Sequence, residues 1–499
     1  MKKIKFEFIC AVAIAGLALA GLAAQPIAPN PTGSQTDGHF RKVILVSDEQ
    51  TNGKYADTLK DPMEIAVAAD GRVFFAQRNG TIRVWKPDTK TAVEIAKVPV
   101  FDGLEDGMLG IALDPNFMES GWIYLNHSLP ETTLDAKGKK VGIIRVSRYT
   151  VNGDNLDLSS EKKLLDIQTQ REECCHVGGS LAFDSKGNLY ISVGDNTNPF
   201  ASDGYAPIDQ QPGRSPWDAQ KSSASPNDLR GKINRIHPEK DGTYTIPEGN
   251  LFPPKTPGTR PEIFVMGNRN PFRISLDQKN GFLYWGEVGP DAGGPNQKRG
   301  PAGFDEVNQA RHAGFFGWPY FIADNKPYYQ FDFAAKTNGP LFDPLHPVNN
   351  SPNNTGLNEL PPAQPAFIYY PASPSTRFPA VNVGGGRTAM AGPVYYFDPK
   401  LKSAHKLPEE FEHTLFIYEW SRNWIIAVHL DADNKISKRA DGSLNMERFC
   451  PKMTFLRPMD LELGADGCLY LIEYGTAWAN NLDTQIVRIE YNADDGAAK

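Results

Sequence analysis

"DPMEIAVAADGRVFFAQRNG" at residues 61–80 and "RPMDLELGADGCLYLIEYG" at residues 457–475 match in register from opposite ends of the chain. In both, Pro-Met-acid opens an alternating apolar run, Asp-Gly interrupts it, and an apolar-aromatic run follows. An Asp-Gly step between two β-type runs marks a tight hairpin. Related runs occur at "SGWIYLNH" (120–127), "KGNLYISV" (186–193), "NGFLYWGE" (280–287) and, without the glycine, "HTLFIYEW" (413–420). Six strand-turn-strand units on one chain predict an all-β fold, a six-bladed β-propeller around a central channel. The early "FRKVILVSD" (40–48) and the terminal "TQIVRIEY" (484–491) are expected to pair within one blade and seal the ring. A β-sandwich with fortuitous hairpin similarity is the alternative, and the first and last units match over too many positions for it.

Two stretches break the pattern, 197–230 and 320–365, both rich in Pro, Asn, Ser and Gly. Long ordered loops of this kind are often functional. They are read as walls over one end of the channel. The 45 glycines and 40 prolines agree with a chain of many turns.

Residues 1–5 are basic and 8–24 are apolar with small residues, so 1–24 reads as a secretory signal. A linker (25–39), the propeller (40–492) and a short tail (493–499) follow, and the protein is expected in the periplasm or outside the cell. No later stretch is long and apolar enough to span a membrane. The formal charge is −7, or −9 without Lys2, Lys3, Lys5 and Glu7, which argues against nucleic acid or anionic lipid as partners.

The chemistry centres on "ECCHVGGSLAFDSKGNLYISVGDN" (173–196). Two strands joined by a tight turn bring their far ends together, here His176 and Asp195. An aspartate beside a histidine fixes its tautomer and makes it a better proton acceptor. Gly178 and Gly179 let backbone approach closely. Adjacent side chains on an extended strand point to opposite faces, so Cys174, Cys175 and His176 do not make a zinc site. The spacing for a c-type haem is absent. The stretch therefore reads as a base with two cysteines behind it.

Beyond this stretch the chain resembles the soluble quinoprotein glucose/sorbosone dehydrogenases, or aldose sugar dehydrogenases. The resemblance runs over roughly residues 45–492. It rests on "EDGMLGIALDPNF" (105–117), "HVGGSLAF" (176–183), "NLYISVGD" (188–195), "LRGKINRI" (229–236), "GNRNPF" (267–272), "WGEVGP" (285–290), "GFDEVN" (303–308), "GFFGWP" (314–319) and "LRPMDLELGADG" (456–467). It implies a six-bladed propeller that uses pyrroloquinoline quinone (PQQ) and Ca²⁺ to oxidise a sugar at its anomeric carbon to a lactone. Electrons would pass to an external acceptor, a cytochrome or a quinone. By the same resemblance His176 is the general base and Asp195 its orienting acid. Glu105 lies near the cofactor, and Arg269 with Asn270 contacts the quinone. Gly289 and Pro290 would offer carbonyls to the catalytic calcium, and Asp305 with Glu306 would form a second calcium site.

The chain departs from the family in its cations. Arg-Pro-Arg-Asp becomes Arg457-Pro458-Met459-Asp460, and the family's cofactor lysine falls near Ser421. PQQ carries three carboxylates and needs several cations. Arg387 and Arg422 are therefore expected to face the channel and replace the lost charges. Asn268 replaces a common histidine. The cysteines have three readings: a Cys174–Cys175 ring, a bridge to Cys450 or Cys468, or buried thiols. The function expected is quinoprotein sugar oxidation. The alternatives are a calcium-dependent lactonase or hydrolase, and a non-catalytic carbohydrate-binding propeller, on the same scaffold.

Overall fold

The structure is a computed structural model that describes residues 37–51, 54–56, 58–381, 385–477 and 481–493. The expected signal, most of the linker and the tail after 493 lie outside the described residues. No described helix is long and apolar enough to cross a membrane.

The two matching stretches fold alike. Pro62–Val67 pairs with Val73–Gln77, and Pro458–Leu463 with Leu469–Glu473, each antiparallel. The glycine of each Asp-Gly step takes a positive φ, +85° at Gly71 and +76° at Gly467, as a tight turn of this kind demands. The other four runs are also second strands of their sheets: Trp122–Ser128, Leu189–Val193, Leu283–Glu287 and Thr414–Glu419.

Each hairpin begins a sheet built on a four-strand meander, to which blade 2 adds Thr133–Leu134 and blade 3 adds Tyr244–Thr245 and Gly314–Phe315. The six sheets are blade 1 (62–97), blade 2 (108–170), blade 3 (178–266), blade 4 (271–371), blade 5 (389–448) and blade 6 (458–491, completed by 40–47). Phe40–Ser47 is the outermost strand of blade 6, antiparallel to Gln485–Tyr491, with Phe40 opposite Tyr491 and Ser47 opposite Gln485. The expected seal is thus present, and the first strand of the fold closes the last blade. Closure leaves no open pair of edges between the chain's two ends. The core lies between blades, where second-strand residues such as Phe75, Ile191, Trp285, Phe416 and Leu471 are fully buried.

The innermost strands pack side by side around the axis, the sixth against the first. Their third residues are Glu64, Gly110, Ser180, Arg273, Ala391 and Asp460. The polar side chains among them stitch the blades together. Glu64 Oε2 of blade 1 accepts the Ile111 amide of blade 2 at 2.7 Å and, at 3.4 Å, that of Leu181 in blade 3. Asp460 Oδ2 of blade 6 accepts the Ile65 amide of blade 1 at 2.7 Å. Arg273 of blade 4 is fully buried. It donates to the carbonyls of Met63, Met459 and Phe272 and lies 3.7 Å from Asp460. Burial pushes both the Glu64 and Asp460 carboxyls above the usual carboxylate range, with Arg273 the main opposing charge.

Arg273→Ala would strand two buried carboxyls and free three carbonyls at once. It is expected to lower unfolding stability by about 3–5 kcal/mol, the scale for removing one partner of a buried ion pair. Equilibrium denaturation checks this. A loss below about 1 kcal/mol, no more than an average substitution costs, would mean that the axis does not hold the blades.

Candidate active site at one mouth of the channel

In a ring of meandering sheets, every innermost strand begins at the same end of the channel. The loops that enter those strands therefore converge on one mouth. Glu105, His176, Arg269, Asn270, Arg387 and Arg457 all lie in such loops, one to three residues before Met108, Gly178, Pro271, Ala389 and Pro458. Residues far apart in sequence meet because each holds the same place in its own blade.

In four blades a side chain at the end of the second strand fixes the entering loop. In blade 1 Gln77 donates to the Lys60 carbonyl at 3.1 Å. In blade 4 Glu287 Oε1 accepts the amides of Arg269 and, at 2.7 Å, Asn270. In blade 5 Glu419 accepts the Thr388 amide, and in blade 6 Glu473 accepts that of Leu456 at 3.0 Å.

Blade 3 uses the same place differently. Its register pairs Gly178 with Val193. Continued by two residues, that register sets His176 opposite Asp195, and Nδ1 and Oδ1 are 2.7 Å apart. Gly194, between the strand and the aspartate, has no room for a side chain: a Cβ there would stand 2.4 Å from the His176 carbonyl oxygen.

Asp195 is completely buried. Its Oδ1 also accepts the Thr197 amide at 2.9 Å, and its Oδ2 accepts the Trp318 indole N–H at 2.8 Å. With its oxygens held by N–H donors, the carboxylate fixes the proton of His176 on Nδ1. The Nε2 lone pair is left as a proton acceptor. The His176 backbone N–H donates to Glu105 Oε2 at 2.6 Å, so the residue is held at its backbone as well as at its ring. Asn270 Oδ1 accepts the Gly178 amide at 3.1 Å, which ties blade 4 to the same loop.

Trp318 is the residue that the sequence reading did not assign. It sits in "GFFGWP", from the loop beyond blade 4's third strand, 123 residues after the aspartate it holds. The motif is visible in the sequence, but nothing local tells where its indole points.

Cys174 and Cys175 are bonded to each other. Of the three readings, the structure takes the adjacent ring. Cys450 and Cys468 are buried, and the Cys468 thiol donates to the His405 carbonyl at 3.2 Å.

The cations divide into two groups. Arg269 is 5% exposed. It donates Nη1 to the Val288 carbonyl at 2.9 Å, while its Nε is buried with no partner among the described residues. A buried orphan donor on a guanidinium suits an anionic oxygen of a ligand. Arg457 lies over the Trp420 ring at 4.4 Å and gives Nη1 to the Ala477 carbonyl at 3.0 Å. Arg422 differs from expectation. Its guanidinium donates to the carbonyls of Gly386, Pro371 and Val381 and lies over Tyr370, so it clamps loops and is not available to a carboxylate. Arg387 is engaged too, through Nη2 to the Pro290 carbonyl at 2.7 Å and Nη1 to that of Gly303.

That last contact bears on calcium. The donors expected to hold the catalytic ion, the carbonyls of Gly289 and Pro290, do not fit one, because the Pro290 oxygen already carries a guanidinium. Like charges about 4 Å apart repel by on the order of 4 kcal/mol per unit pair near a protein surface. The second expected site does not form either. Asp305 and Glu306 are neighbours on a strand and face opposite ways. Asp305 accepts the amides of Gly289 at 3.1 Å and Ala389 at 2.9 Å. Glu306 accepts the Ala323 amide at 2.5 Å and the Asn308 side chain at 3.0 Å.

The glucose/sorbosone dehydrogenase family model matches residues 59–358. The aldose sugar dehydrogenase YliI of Escherichia coli is 28% identical over 270 residues, 53% of this chain and 60% of that protein. Quinoprotein glucose dehydrogenase B of Acinetobacter calcoaceticus is 25% identical over 353 residues, 67% of this chain and 66% of that one. The chain thus spans about two thirds or less of these relatives. The structure of a PQQ-bound aldose sugar dehydrogenase of Streptomyces coelicolor shares the fold at a TM-score of 0.52 and 17% identity, over 90% of this chain and 98% of that one. Six hairpin blades and a match over most of the propeller lead to one conclusion: the chain belongs to the glucose/sorbosone dehydrogenase family.

Proposed function

We propose that the protein oxidises a sugar at its anomeric carbon to a lactone, with PQQ as the cofactor and an external protein or quinone as the final electron acceptor. The observation that carries this is the His176–Asp195 pair at 2.7 Å, with the other carboxylate oxygen locked by Trp318. Membership in the family and the names of its relatives support the same chemistry.

The division of labour follows from the geometry. His176 Nε2 takes the proton of the anomeric hydroxyl. Asp195 stabilises the imidazolium that results. Glu105 keeps the histidine's backbone in place. Bound PQQ supplies two-electron, hydride-level oxidation. Arg269, with its orphan Nε, and Arg457 are the residues of this chain that would hold its carboxylates. A cation beside the quinone oxygens also favours the negative charge that reduction brings. The loss of an arginine at Met459 and the engagement of Arg422 leave this cradle thinner than the resemblance implies. For that reason cofactor binding is the first thing to measure.

Calorimetric titration of the purified protein with PQQ is expected to show micromolar or tighter binding, and the loaded protein should reduce an artificial dye with at least one aldose. If no PQQ binds, the lactonase or the carbohydrate-binding propeller becomes the better account. With the cofactor in place, His176→Ala is expected to lower kcat by about 10²- to 10⁴-fold with PQQ affinity retained. Trp318→Phe removes one bond to a buried charge and should lower kcat by about 10- to 100-fold, with KM for the sugar little changed. Steady-state kinetics checks both. A His176→Ala enzyme with near-normal turnover would remove this histidine from the chemistry.

A further inference from the structure

The loop that enters blade 5 sends the Arg387 side chain across to the turn after blade 4's second strand. There the planar fork of the guanidinium spans two carbonyls, Pro290 at 2.7 Å and Gly303. Behind it, Arg387 Nε is 3.6 Å from Asp305 Oδ1. The Arg387 side chain is 6% exposed and that of Asp305 1%. The backbone is shaped for this contact. A Cβ at Gly303 would overlap the Pro290 carbonyl and stand 3.1 Å from Arg387 Nη2, so only glycine lets the two chain segments close around the fork. Asp305 in turn accepts the amides of Gly289 and Ala389, tying the turn to the strand that follows Arg387. The arginine is thus held by two carbonyls and a carboxylate, all from blade 4 and the loop beyond it.

Calcium binds six to eight hard oxygens at about 2.3–2.6 Å. Of the oxygens here, one Pro290 lone pair, the Gly303 carbonyl and one Asp305 oxygen are already directed at the guanidinium. An arginine carries its charge at every physiological pH. It therefore delivers positive charge to this side of the mouth without the exchange, pH dependence or chelator sensitivity of a metal ion.

We infer that the Arg387 guanidinium is the resident cation of the mouth: it takes the place on the Pro290 turn that the resemblance gives to a divalent ion, and the site works without calcium there. For its cofactor readout the inference rests on the proposed quinone chemistry; its metal readout does not.

The test uses the full-length protein stripped of metal, as wild type, Arg387→Ala and Arg387→Gln. Calcium binding is counted by calorimetry, and PQQ affinity is measured in chelator and again in excess Ca²⁺. Wild type is expected to bind PQQ equally well in both. The two variants should bind PQQ about 10- to 100-fold more weakly in chelator. Each should take up one more Ca²⁺ per chain than wild type, and that ion should restore part of the lost affinity. The glutamine variant keeps the length and a donor for one carbonyl, and it guards against a folding failure of the alanine variant. The inference is overturned if chelator abolishes PQQ binding by wild type and calcium restores it. It is also overturned if neither folded variant takes up an additional ion. If PQQ binds under no condition, the quinone reading fails, and the calcium count alone decides the role of Arg387.

Discussion

The pairing of Phe40–Ser47 with Gln485–Tyr491 is the constraint on which the rest depends. Without it, six twisted sheets would form an open stack with two bare edges. With it, the innermost strands must face one another, and everything at their starts must meet at one mouth. The axis then needs polar chemistry, because six strands cannot all place large apolar residues there. Arg273, Glu64 and Asp460 supply it, and they do so by bonding across blades. Ring closure and axis are therefore one cooperative unit.

The candidate site is a modified version of a structural device. At the end of the second strand, Gln77, Glu287, Glu419 and Glu473 each hold the loop that enters their own blade, through its backbone. In blade 3 the acid stands two residues further on and holds a histidine ring. Moving the carboxylate by two residues turns a loop anchor into an acid-base pair. The pair is held at both carboxylate oxygens: Asp195 Oδ1 also accepts the Thr197 amide, two residues further along its own loop, while Trp318 fixes Oδ2.

Much of this was legible in the sequence, because it depends on local periods. Asp-Gly turns with alternating residues on either side specify hairpins, and the spacing from His176 to Asp195 is a hairpin register read outward. The closing strands were legible for the same reason, as alternating runs left over at each end. What could not be read are contacts between loops of different blades. Trp318 reaches Asp195 from another blade, and Arg422 spends itself on carbonyls of two neighbouring loops. Arg387 looked like a replacement for lost cofactor cations, yet the fork lies against the carbonyls expected to hold metal. No local pattern distinguishes an arginine that waits for a ligand from one that bonds the backbone. The cysteine pair was ambiguous in the same way, since adjacency permits a ring without requiring one.

On the proposed reading, the loops entering the innermost strands assemble a quinone site with His176 as its base and arginine as its cation. A crystal structure of the protein with PQQ and a sugar bound tests it most directly. The quinone is expected at the mouth, within contact of Arg269 and Arg457, with the anomeric hydroxyl within hydrogen-bond reach of His176 Nε2 and the Arg387 guanidinium still on the Pro290 carbonyl. A sugar seated away from His176, or a metal ion in place of that guanidinium, would contradict it.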